Sequence, residues 1–210
     1  MLMGKYEFGT RPRAYAYSYQ QASKIISDAH DISYKIYKAL TETTYLEWFE
    51  DIPASWLDGG PSKKRMDDLV SILGRNDTIK VLGNVIAAVE EWQKTKPKEM
   101  GHIVAEYWKQ RYPYGPNTEE IILKAADQIS ASMSAVVKEL GTIKTGLEKL
   151  AKTKDQDEFM DGVDAVLKSL EKALDSYYKL SNAVHVLSAG PNYYTSYRVG
   201  FSLRKCLPDN

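Results

Sequence analysis

Apolar residues in the second half of the chain recur at alternating steps of four and three. Ile122, Ala126, Ile129, Met133, Val136, Leu140, Ile143, Leu147 and Leu150 form one such seam. Phe159, Val163, Val166, Leu170, Ala173, Tyr177, Leu180, Val184 and Leu187 form a second. This spacing keeps one face of an α-helix apolar along its whole length. The polar stretch 153–157 between the seams is too short for anything but a turn, so residues 117–189 are predicted to fold as a long antiparallel helical hairpin. The ends agree with this. Asn117 precedes Glu120 and Asp155 precedes Glu158 by three residues, the spacing of a capping box, and Gly190-Pro191 stops the second helix. At about 1.5 Å per residue each helix is on the order of 50 Å long.

Ahead of the hairpin the pattern is helical in shorter pieces. Residues 1–9 show no periodicity. Thr10 is placed to cap a helix whose first turn contains Pro12, where the missing N–H costs nothing. Tyr15, Tyr19, Ala22, Ile26 and Ala29 then fall on one face, with Arg13, Tyr17, Gln20 and Lys24 on the other. The helix is expected to continue through Ile32, Ile36, Leu40 and Trp48 to a break at Ile52-Pro53. Asp58-Gly59-Gly60-Pro61 is turn chemistry and lacks the glycine spacing and lysine of a phosphate-binding loop. Helices are predicted over 66–73, over 77–93 with Ile79, Leu82, Ile86 and Val89 inward, and over 98–111, before the turn at 112–116. In the tail, Tyr197, Val199, Phe201 and Leu203 alternate with Arg198, Gly200, Ser202 and Arg204, a period of two that favours an extended segment. The expected fold is therefore all-α: a helical bundle with a long antiparallel C-terminal helical hairpin and an extended basic N-terminal helical arm. Its expected parts are the arm and long helix (1–50), the bundle with its hairpin (51–189) and a basic, tyrosine-rich tail (190–210).

Charge changes this picture more than composition does. The formal net charge is zero, but the bases are gathered at the ends. Residues 1–27 carry Lys5, Arg11, Arg13 and Lys24 against Glu7 alone, and 190–210 carry Arg198, Arg204 and Lys205 against Asp209. The body between them is acidic. Such a pattern fits a polyanion held by the two ends, with Lys5, Arg198, Arg204 and Lys205 joining the arm as candidate contacts. The face of Arg13, Tyr17, Gln20 and Lys24 offers cations and hydrogen-bond donors suited to phosphates, and basic amphipathic helices also serve partner proteins and membrane surfaces.

Signs of catalysis are weak. The single Cys206 rules out an internal disulfide, and three histidines supply no recognisable nucleophile and base pair. Glu99 and His102 have the Glu-x-x-His spacing of a di-iron bundle, but such sites need a second copy of the motif. No enzymatic activity and no cofactor or metal are expected. The longest uninterrupted apolar run is about the size of 85–89, far short of the roughly 18 residues of a membrane span.

Pro12-Arg13-Ala14-Tyr15-Ala16-Tyr17-Ser18-Tyr19, that is Pro-Arg-x-Tyr-x-x-x-Tyr opening a long helix, resembles the start of the major capsid proteins of filamentous archaeal viruses, the rudivirus and lipothrixvirus group. The resemblance covers about a dozen residues from Thr10 to Gln21. In length and in its hairpin the chain looks more like the enveloped branch, whose virions contain two related capsid proteins. The resemblance implies a nucleocapsid protein whose arm wraps linear double-stranded DNA in A-form within a helical filament. Its implied partners are the duplex, a paralogous capsid subunit or a second copy, neighbouring subunits and a surrounding lipid envelope. The implied location is the virion, with host cytoplasm during assembly. Arg11, Arg13, Tyr17, Gln20 and Lys24 would face phosphates, and Tyr15, Tyr19 and Ile26 a neighbouring subunit. From another class, a cellular coiled-coil adaptor with a basic arm for a protein partner or an anionic membrane has the same charge pattern.

Overall fold

In a computed structural model the described residues are 11–41, 77–111 and 117–190, with side chains described except at 11–18, 41 and 156. Among them the only regular structure is helix. Five helices make up most of them, joined at 96–99 and 151–155 by turns: α1 (Arg11–Thr41), α2 (Thr78–Thr95), α3 (Met100–Arg111), α4 (Thr118–Leu150) and α5 (Gln156–Ala189). The expected helix at 66–73, the continuation past 41 with Trp48, and the alternating tail lie outside the described residues.

The two long seams are buried as their spacing requires. All nine α4 positions are buried, and so are eight of the nine on α5, Tyr177 being half-buried. Asp155 caps α5, its Oδ1 accepting a hydrogen bond from the Glu158 N–H at 2.9 Å. The other cap differs. Asn117 enters α4 with φ 61°, in the left-handed region where asparagine is among the better tolerated side chains, rather than in the extended conformation of an ordinary cap.

The described residues fall into two compact units, each assembled from separated stretches: 11–30, 96–111, 117–128 and 182–190 in unit 1, and 31–41, 77–95 and 129–181 in unit 2. Helices α1, α4 and α5 contribute residues to both. Within unit 2, the end of α4 packs against the start of α5 so closely that a Cβ at Gly146 would lie 2.6 Å from Val166 Cγ2. Lys149 and Glu158 bridge the same two helices at 2.9 Å.

Two helices bury a face slightly rotated from the expected one. On α1 the core stripe is Ala22, Ile25, Ala29, Ile32, Ile36, Ala39 and Leu40, so it runs through Ile25 rather than Ile26, which shares the helical face of Ala22 and Ala29 and is half-buried. On α2 the buried residues are Thr78, Leu82, Val85, Val89 and Trp92, while Ile79 and Ile86 sit at the margin. Both stripes obey helical spacing. The observed one also takes Trp92 out of water, and an indole carries more apolar area than either isoleucine.

In unit 1, Trp108 of α3 closes the C-terminus of α5. The carbonyl of Leu187 would ordinarily accept from the N–H four residues on, but position 191 is proline and has none. Trp108 Nε1–H donates to that carbonyl instead, at 2.9 Å. Gly190 ends the helix at φ +74°, its N–H reaching Val186 O, and a Cβ there would lie 2.7 Å from the indole ring.

Candidate functional site

The N-terminal arm begins with α1. No acidic residue occupies its first turn, where the positive end of the helix dipole lies. Arg11, Arg13, Tyr15 and Tyr17 lie on this helix, their side chains outside the described residues, and Lys5, Arg198, Arg204 and Lys205 fall outside altogether. Gln20 and Lys24 are exposed. Lys24 Nζ pairs with Asp28 of the next turn at 2.7 Å, an exposed i,i+4 pair of the kind that contributes only a few tenths of a kcal/mol and yields easily to a phosphate.

Tyr19 has a partner within its own chain. Its ring meets Tyr107 of α3 edge-on, with centroids 5.6 Å apart, and Tyr107 in turn meets Trp108 at 5.0 Å. The Arg111 guanidinium lies 5.6 Å from the centre of the Tyr107 ring and donates to the Tyr107 hydroxyl. Tyr107 and Arg111 thus join the arm's helix, although nothing in their local sequence marks them. The one available signal is the basic last turn of α3, Lys109 and Arg111.

The chain matches no protein-family model, no curated protein and no solved structure.

His102, from the Glu-x-x-His spacing, is exposed and faces Glu119 of α4 at 3.6 Å. Glu119 also accepts a hydrogen bond from Lys109, which holds its carboxyl below the usual carboxylate range and raises the lysine. This is a surface clamp between α3 and α4. Among the described residues no three His, Cys, Asp or Glu side chains converge as a metal site, and no helix is long and apolar enough to cross a membrane.

The other two histidines meet. His30 of α1 and His185 of α5 lie in unit 1 with ring centroids 5.9 Å apart. Partial desolvation first, and the neighbouring His30 second, hold the His185 imidazole below its ordinary value of 6.5, although the residue as a whole is exposed. A lowered folded-state value favours the neutral ring, so its contribution to stability is complete above pH 6.5 and is lost as pH falls through the lowered value. His185→Gln is expected to shrink the drop in melting temperature between about pH 7.5 and about pH 5. Thermal melts of both proteins across that range check this, and equal drops would exclude the histidine pair as the cause.

Proposed function

We propose that this protein is a structural nucleocapsid subunit that packages linear double-stranded DNA, independently of sequence and in A-form, in a helical filamentous virion. The observation that carries the reading is the acid-free, cationic and tyrosine-rich opening of α1, residues 10–21, with its likeness to filamentous archaeal virus capsid proteins. A packaging protein must bind every sequence equally, so contacts from Arg, Lys, Tyr and Gln to phosphates suffice and no base-reading constellation is needed. In A-form duplex the major groove is too deep and narrow to be read, which leaves phosphates and the shallow groove. The long α4–α5 pair, read as an antiparallel hairpin, forms the body from which a basic α1 arm reaches the duplex. A neutral whole with basic ends lets identical bodies pack without strong mutual repulsion.

Replacing Arg13 and Lys24 together with alanine is expected to weaken binding equally for unrelated duplexes. The slope of log affinity against log salt should fall in magnitude by about 0.9 for each phosphate no longer neutralised. Fluorescence titrations over a salt series measure this, and an unchanged slope removes both residues from the DNA surface. A wild-type protein that binds no duplex at low salt would instead favour the adaptor with a basic arm.

A further inference from the structure

Arg111 ends α3 as an exposed residue whose guanidinium is held by a buried one. It donates to the Tyr107 hydroxyl and lies 5.6 Å from the centre of the same ring. Tyr107 is itself fixed, packing edge-on against Tyr19 of α1 at 5.6 Å and against Trp108 at 5.0 Å. All four residues belong to unit 1. Tyr19 sits at the margin of the exposed face of α1: it is 45% exposed, and its helical neighbours Gln20, Ser23 and Lys24 are exposed as well. The face that carries Gln20 and Lys24 therefore reaches Tyr19, and through the contact of Tyr19 with Tyr107 it reaches Arg111.

The two cations at the end of α3 are placed differently. Lys109 meets Glu119 at 2.5 Å and Glu106 at 4.0 Å, so its charge is matched within the chain. Glu106, the one acid of α3, also accepts from Gln110 at 3.5 Å. Arg111 is oriented by a neutral hydroxyl and an aromatic face, a contact that fixes the guanidinium plane without neutralising it. A cation serving only the negative end of the helix dipole would need neither the hydroxyl nor the ring. A planar fork of N–H donors suits a phosphate, which accepts two parallel bonds, and an arginine already held in place loses little freedom on binding one.

We propose that Arg111, positioned by Tyr107, is a further phosphate contact of the duplex, so that the nucleic acid is held by α3 as well as by the arm. This deepens the nucleocapsid reading and rests on it.

Duplex titrations of the full chain over a salt series test it. Arg111→Gln is expected to lower affinity about threefold or more and to reduce the magnitude of the salt slope by about 0.9, equally for unrelated duplexes. Arg111→Lys keeps the charge and loses the fork, so the slope should stay while affinity falls about twofold. Tyr107→Phe keeps the ring against Tyr19 and Trp108 and removes only the hydroxyl. It should lower affinity at an unchanged slope, as loss of positioning without loss of charge requires. Thermal melts accompany each variant, and affinities are compared well below the lowest midpoint. Unchanged affinity and slope in Arg111→Gln overturn the proposal, and full rescue by lysine overturns the fork. Wild-type affinity in Tyr107→Phe overturns the positioning role. A slope lowered by the Arg13 and Lys24 substitutions but not by Arg111→Gln sinks this inference alone. A wild type that binds phosphatidylserine vesicles and no duplex sinks the nucleocapsid reading, and the duplex contact of Arg111 with it.

Discussion

Leu140→Asp is expected to unfold unit 2 at room temperature. Leu140 sits near the middle of the α4 seam with no solvent exposure. A carboxylate there has no water, and an isolated ion in such surroundings either neutralises at the expense of its pKa or forces the packed helices apart. The substitution also removes a branched side chain from a core whose neighbours along the seam, Val136 and Ile143, are buried as well. Losing a buried leucine alone costs about 2–5 kcal/mol, and burying the acid adds several more. Whole domains are commonly stable by about 5–15 kcal/mol, so the sum reaches the stability of the unit. Loss of the cooperative far-ultraviolet melt, or a urea midpoint moved close to zero, is the expected result. Leu140→Ala separates the two contributions, since it leaves a cavity without a charge. If Leu140→Asp melts near the wild type, the α4 seam does not form the core of the unit.

Trp108→Ala is expected to destabilise unit 1 by about 3–5 kcal/mol, the range for removing a large buried aromatic. Three effects coincide. The indole packs against Gly190 and edge-on to Tyr107, and it supplies the N–H that satisfies the Leu187 carbonyl in a helix terminus followed by proline. A carbonyl left without a donor in a buried place costs about 1–3 kcal/mol. Trp108→Phe is therefore the informative companion, because it keeps a ring against Gly190 and removes the donor. Amide exchange in the last turn of α5 should accelerate in both variants, more in the alanine one. A phenylalanine variant as stable as the wild type would show that the indole N–H contributes nothing.

How much of this could be read from the chain depends on the range of the interaction. The α4 and α5 seams are legible because their period is local: each position is set by neighbours three and four residues away, and Leu147, Leu150, Phe159 and Val163 bury as the spacing demands. Helix ends are legible for the same reason, with Asp155 and Gly190 acting on backbone groups within four residues of themselves. Asn117 shows the limit, since the same spacing of cap and carboxylate is compatible with a left-handed entry.

On α1 and α2 local spacing allows two adjacent stripes, and a step of one residue turns a helix by about 100°, so Ile25 against Ile26 and Ile86 against Val85 could not be decided by period alone. Tertiary packing decided both. The contacts with the most chemical content join residues far apart in sequence: Trp108 with Leu187, His30 with His185, Tyr19 with Tyr107 and Tyr37 with Tyr177. The Tyr177-Tyr178 doublet hints at the last of these, because only one of two adjacent helical residues can enter a seam. By itself the sequence determined the helical class, the two long apolar faces, the end of α5 and the gathering of bases at the chain ends, all properties of composition or of neighbours within a turn. Which stripe of α1 and α2 is buried, which ring caps α5, and which tyrosines stand together on the surface were decided only by tertiary structure, because no local period encodes where a distant helix will lie.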